Sequence, residues 1–217
     1  AILFNDFSKF LNKNGITKMP EIFPYIFIEE EPCKLIKEII FPGYAKKDPH
    51  RRKGSMRTLC TKFIRRSIVK ENIRFNEDIK IGEDALFCAM CCKKARRVMF
   101  VNEYLYYYRE VENSADQRYR EDIENVFERL IRNTYYFLEP DFGKTEVNTC
   151  FAGLAYDCVA RALEKKFVNI ENPAPIPERI AQIKNFVENK WIEHAFVEHI
   201  DWSVFNIKHM MVIFCMR

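Results

Sequence analysis

Gly82-Glu83-Asp84-Ala85-Leu86-Phe87, followed by Tyr106-Tyr107-Tyr108-Arg109 and Asn113-Ser114-Ala115, is the part of the chain whose reading decides the fold. Gly82 frees the backbone for a tight turn, and Glu83 and Asp84 then take the first turn of a helix. The apolar positions of that helix are Leu86, Phe87, Met90 and Cys91. Residues 96–101 and 104–108 are rich in β-branched and aromatic side chains and read as two strands joined at Asn102-Glu103, or as one strand running into an aromatic one. Helix followed by strand, with earlier apolar strand material, gives a mixed α/β fold. An acidic pair at a helix mouth also satisfies helix capping, so the spacing alone leaves a structural and a chemical reading open.

The segment before this block supports the same architecture. Ala1-Ile2-Leu3-Phe4 is a bare apolar run without a cap and reads as a buried strand entered from preceding sequence. Asn12-Lys13-Asn14-Gly15 is a turn signal that predicts a hairpin. Glu29-Glu30-Glu31-Pro32 opens a short helix carrying Leu35, Ile36, Ile39 and Ile40, which Gly43 closes. Residues 44–57, with Lys46, Lys47, His50, Arg51, Arg52, Lys53 and Arg57, read as a mobile basic loop, either simply solvated or facing phosphate-bearing or anionic partners. No aromatic residue is interleaved among those cations after Tyr44 to stack bases, which disfavours nucleic acid. A short helix is expected over 65–71, then an extended piece at Ile73-Arg74-Phe75.

In order and spacing these motifs resemble the second half of bacterial family 2 glycosyltransferases, inverting enzymes of the GT-A fold that build surface polysaccharides. The matching positions are Lys62, Phe63, Arg66 and Phe75, then Gly82-Glu83-Asp84, then Arg109 and Ser114; Leu59-Cys60 departs from the family pattern. The resemblance implies that Asp84 is the general base for the acceptor hydroxyl and that Glu83 orients the acceptor. It places Lys62, Arg109 and Ser114 with the donor diphosphate. It further implies a nucleotide-sugar donor, a saccharide or lipid-linked acceptor, and a divalent cation, Mg or Mn, whose principal ligands lie in an N-terminal half not represented here. Chemically, a guanidinium suits a departing diphosphate because it gives directed hydrogen bonds to negative oxygen.

The expected organisation is therefore a partial GT-A domain over residues 1–117, lacking its nucleotide-binding half, and a helical extension over 118–217. On that reading the chain is an incomplete and inactive fragment of an enzyme. A noncatalytic carbohydrate-binding or scaffold module of the same descent, or a basic adaptor for a membrane surface or nucleic acid, are the alternatives. The extension is read from three stripes: Ile123, Val126, Phe127, Leu130, Ile131 and Thr134; Val147, Cys150, Phe151, Leu154 and Cys158; and Ile180, Ile183 and Val187 after Pro177. Residues 204–216 are apolar enough to dock in a core or to lie on a membrane.

Composition bounds these readings. The chain has 217 residues, 48% of them hydrophobic, so it can bury a sizeable core. A net charge of +4 is too mild to argue for nucleic acid. Its 8 cysteines lie in apolar runs without framework spacing, which points to a reducing cytoplasm and, for the cluster Cys88, Cys91 and Cys92, to buried small side chains ahead of a zinc site. His194 and His199 are five apart on different helical faces and are read as structural or surface residues. No run approaches the roughly 18 apolar residues of a spanning helix. The expected location is the cytoplasm, with peripheral contact at the inner face of the membrane as a further option.

Overall fold

The computed structural model describes residues 2–8, 11–12, 15–16, 27–29, 31–47, 56–70, 72–107, 118–196 and 199–206. The chain divides into two compact units. The first comprises Ala1–Glu77 and Gly82–Ser114, and the second Asp78–Ile81 and Ala115–Arg217. The class is mixed α/β with helix predominating.

The first unit contains β1 (Ile2–Ser8), β2 (Leu11–Asn12), β3 (Gly15–Ile16), β4 (Phe27–Glu29), α1 (Cys33–Ile40), β5 (Lys62–Ile64), α2 (Arg66–Val69), α3 (Glu83–Lys94) and β6 (Val98–Tyr107). Four strands form a mixed sheet in the order β4-β6-β1-β5. β1 and β6 are parallel, with Ile2 opposite Val98 and Phe4 opposite Phe100. A parallel pair needs a long crossover, and α1 and α3 lie within it. Register shifts beside Asp6 bend this ladder, and Asp6 then pairs with Tyr104. β5 runs antiparallel to β1, setting Lys62 opposite Phe4, and β4 runs antiparallel to β6. The turn signal at residues 12–15 does join a pair of strands, β2 to β3.

α1 buries Leu35, Ile36, Ile39 and Ile40 as its spacing requires, but its ends differ from expectation. Glu29 finishes β4 instead of opening the helix, which starts after Pro32. Gly43 does not close it either. Pro42 disfavours helical backbone in the residue before it, so Phe41 is extended (φ −129°, ψ 102°) and α1 stops at Ile40. Gly43 falls within a 3-10 helix, Pro42–Lys47. The rest of the basic stretch, residues 48–55, lies outside the described residues.

The helix expected over 65–71 is only the single turn α2, and Glu71 lies outside the described residues. Ile73-Arg74-Phe75 joins no strand. Phe75 instead stacks on Phe87 of α3, ring centroids 4.2 Å apart and nearly parallel, an aromatic pair worth about 1 kcal/mol. Of the two readings of residues 96–108, the one strand running into an aromatic stretch is what forms: β6 is continuous, with Asn102-Glu103 inside it because the bulged ladder absorbs them.

The second unit is helical: α4 (Ile123–Leu138), α5 (Lys144–Ala162), α6 (Ile176–Val187) and α7 (Lys190–Ala195). Every residue of the predicted α4 and α5 stripes is buried. The Gly143 amide, at the start of α5, donates to Glu146 Oε2 at 3.2 Å, one half of a capping box. α5 continues as a π-helical turn, Leu163–Phe167, where the buried Lys166 ammonium meets Glu124 Oε1 at 2.8 Å and donates to the Glu121 carbonyl at 2.9 Å. Asn189 caps α7 by accepting from the Trp191 amide and ties it to α4 by donating to Glu128 at 3.1 Å. Thr149 of α5 accepts from the Asp201 amide at 2.8 Å, fixing the 3-10 turn Trp202–Val204.

One stripe is not core. On α6 only Phe186 is buried, while Ile180 is 61% and Ile176 71% exposed. Periodicity placed Ile180, Ile183 and Val187 on one helix, and α6 is that helix; Ile183 and Val187 are half-buried, while Ile180 stays exposed. Of the apolar C-terminal stretch, Val204 and Phe205 are buried, and residues 207–217 lie outside the described residues. Among the described residues no helix is long and apolar enough to cross a membrane.

Candidate active site at the mouth of helix α3

The site begins with Gly82. Its φ of 85° lies in the left-handed region, where a side chain would be strained, and this turn starts α3 abruptly. Glu83 and Asp84 thereby occupy the positive end of the helix dipole, while Lys93 and Lys94 sit at the negative end. α3 is buried on nearly all sides through Ala85, Leu86, Phe87, Cys88, Ala89, Cys91 and Cys92, so its mouth is rigidly placed.

Asp84 is half-buried, and its Oδ2 accepts the backbone N–H of Leu59 at 3.3 Å. Leu59 opens a 3-10 turn, Leu59–Thr61, that feeds directly into β5 and Lys62. The bond therefore joins the helix mouth to the sheet across 25 residues of sequence. Oδ1 has no hydrogen bond among the described residues. Glu83 stands beside it in the first turn, also half-buried.

Lys62 comes to the same place. Its ammonium donates to the Thr58 carbonyl and, at 3.3 Å, to Thr61 Oγ1, which itself donates to the Thr58 carbonyl at 3.0 Å. Burial holds the amine below its usual range, opposed by the fields of Cys88, Cys92, Cys60 and Asp84. Cys60 is the neighbour that sequence reasoning passed over as a site residue. Burial pushes its thiol up; Lys62 pulls it down, Asp84 pushes it up, and the Tyr106 side chain on β6 lies within hydrogen-bonding reach and lowers it. The one signal was that Leu59-Cys60 departs from the family pattern.

The structure thus brings together Asp84, Glu83 and Lys62. Arg109 and Ser114, with Tyr108 and Asn113, lie outside the described residues, beyond the end of β6. β1 and β6 are parallel, so their carboxyl ends, at Ser8 and Tyr107, share one edge of the sheet. That edge is where open α/β sheets place ligands.

Cys88, Cys91 and Cys92 are buried thiols. Burial pushes Cys88 up to about 11 and Cys91 to about 12, and raises Cys92 further. Such thiols resist the ionisation that metal binding requires. Among the described residues no group of three or more His, Cys, Asp or Glu side chains is placed to hold a metal. The ammonium and thiols around Asp84 are also the wrong company for a hard Mg or Mn ion, which takes oxygen ligands. The described residues therefore do not fit that cation. His194 is exposed, with its ring 5.7 Å from Tyr135 and 6.0 Å from Phe151; His199 is exposed at a positive φ of 66°.

No family model and no curated protein matches the sequence.

Proposed function

We propose that this chain is the acceptor-side half of an inverting, family 2-like glycosyltransferase of the GT-A type, with a helical extension. The observation that carries the reading is the placement of Asp84. A left-handed glycine turns it out of the helix mouth, the Leu59 amide holds one of its oxygens, and Lys62 lies alongside. Simple helix capping does not require a bond to a segment 25 residues away or a half-buried cation beside it.

In the proposed reaction the acceptor oxygen attacks the anomeric carbon of a nucleotide sugar as the bond to the diphosphate oxygen breaks. Asp84 takes the hydroxyl proton, and the diphosphate leaves with the bonding electrons. Glu83 orients the acceptor. Lys62, Arg109 and Ser114 serve the diphosphate, whose negative charge grows in the transition state. For Lys62 this means exchanging the Thr58 carbonyl for a phosphate oxygen, an exchange open to a flexible ammonium with three donors. The acceptor is a saccharide or a lipid-linked saccharide, the setting is cell-surface polysaccharide synthesis, and the proposed location is the cytoplasm, with peripheral contact at the membrane.

The test uses the protein that carries this chain together with its nucleotide-binding half. Nuclear magnetic resonance of the first product should show the anomeric configuration inverted relative to the donor. Arg109→Ala and Ser114→Ala should lower turnover on the order of a hundredfold, about 3 kcal/mol, more than they weaken acceptor binding. Retained configuration, or unchanged rates in both variants, would overturn the assignment.

A further inference from the structure

The second unit holds a cavity of about 680 Å³ between α4, α5 and α7. Its size falls in the range of small-ligand sites, roughly 300–1,000 Å³. One part of the lining is aromatic or apolar: Tyr135, Phe142, His194 and Val147. Tyr135 is held from behind by Phe151, at 5.1 Å between centroids, and by Trp191, at 6.1 Å, so its ring is braced before any ligand arrives. The other part is polar: Glu139, Lys144 and Asn148.

The chemistry of that lining narrows the ligand. One carboxylate and one ammonium cancel, so neither an anion such as phosphate nor a cation such as choline is favoured by net charge. A wholly apolar ligand would strip water from the exposed Glu139 and Lys144 without replacing their hydrogen bonds. A neutral sugar satisfies both parts. The C–H face of its ring packs on a braced aromatic ring, and its hydroxyls both donate and accept, matching an acceptor (Glu139), a donor (Lys144) and an amide that is both (Asn148). The Tyr135 phenol is pushed up by burial and then by the Glu139 carboxylate, which places the ring and the acceptor group side by side.

We propose that this cavity is a saccharide-binding subsite taking one or two neutral sugar residues through Tyr135, Phe142, Glu139, Lys144 and Asn148. Its service as a holding site for a growing acceptor glycan rests on the glycosyltransferase reading; the binding itself does not.

The experiment is saturation-transfer nuclear magnetic resonance and calorimetry on the full chain. The probes are the methyl glycosides of glucose, galactose and N-acetylglucosamine, and their disaccharides, with inorganic phosphate and choline for comparison. The expected result is transfer to ring C–H protons of at least one sugar, with a dissociation constant on the order of 1 mM. Phe142→Ala and Glu139→Gln should each weaken it roughly tenfold, as loss of a central contact does. Both lie near or at the surface, so the fold, checked by circular dichroism, is retained. Ile180→Ala on α6, outside the cavity, should change nothing. No transfer to any sugar, binding of phosphate or choline alone, or undiminished sugar binding in both cavity variants would each overturn the proposal. Because no turnover is needed, loss of this subsite and loss of the catalytic assignment at Asp84 are read separately.

Discussion

Replacing Cys88 by Ala should flatten the loss of stability at alkaline pH. In the first unit Cys88 and Cys92 are 1% and 0% exposed, and burial keeps both thiols protonated well above the ordinary value of 9.0. In the unfolded chain they ionise near that value. The unfolded state therefore binds fewer protons as pH rises from 9.0 toward about 11, and stability falls across that window while being fully retained below it. At about pH 10 the unfolded thiol gains RT ln(1 + 10), about 1.4 kcal/mol, and the folded thiol almost nothing. Cys88 and Cys92 together then cost about 3 kcal/mol, with Cys91 acting in the same direction. Lys62 opposes them. Its folded amine loses its proton below the 10.5 of a free lysine, so the unfolded state binds more protons in that interval and stability rises. Urea unfolding followed by far-ultraviolet ellipticity at about pH 7.5 and pH 10 measures the net slope, and differences between the two pH values cancel the cavity that alanine leaves. Cys88→Ala should reduce the alkaline loss by about 1.4 kcal/mol and Cys88→Ala/Cys92→Ala by about twice that. Identical slopes in the parent and the double variant would refute the burial of these thiols on α3.

The mouth of α3 depends on its glycine. Gly82→Ala should cost about 1–2 kcal/mol of stability, since a Cβ is strained at this φ, and urea unfolding showing no loss would mean the turn can relax to an ordinary backbone. In the second unit, Glu124→Ala leaves the Lys166 ammonium buried with only the Glu121 carbonyl in place of its ion pair. The expected loss is about 3 kcal/mol, partly recovered by Glu124→Leu/Lys166→Met, which removes both charges; equal losses in the single and double variants would show that the pair does not account for it.

The parts of this molecule that were legible in the sequence are those that rest on local chemistry. Gly82 followed by two acids and an apolar run encodes the start of α3, and the α4 stripe from Ile123 to Thr134 encodes a buried face. The end of α1 was legible too, though through Pro42 acting on Phe41 and not through Gly43. What was not legible involves partners far apart in the chain. Nothing near Asp84 announces the Leu59 amide, and nothing near Cys60 announces Tyr106. At α6 periodicity gave the helix that carries Ile180, Ile183 and Val187 but not how deeply its face is buried: a repeat tells which side chains share a face, whereas burial of Ile180 would need another element to cover it. The irregular ladder between β1 and β6 likewise depends on pairing, which decided between the two readings open at Asn102-Glu103 in favour of one strand.

The most direct measurement of the central claim is the initial transfer rate of Asp84→Asn in the proposed full-length glycosyltransferase, with melting temperature read on the same preparations. The amide keeps the shape of the side chain and can still accept from the Leu59 N–H, but it cannot take the acceptor's proton. The account predicts a rate lower by about 10²–10⁴-fold with donor affinity and melting temperature nearly unchanged, and a milder loss for Glu83→Gln. A near-normal rate accompanied by a stability loss of about 1 kcal/mol, the signature of a helix cap alone, would contradict it.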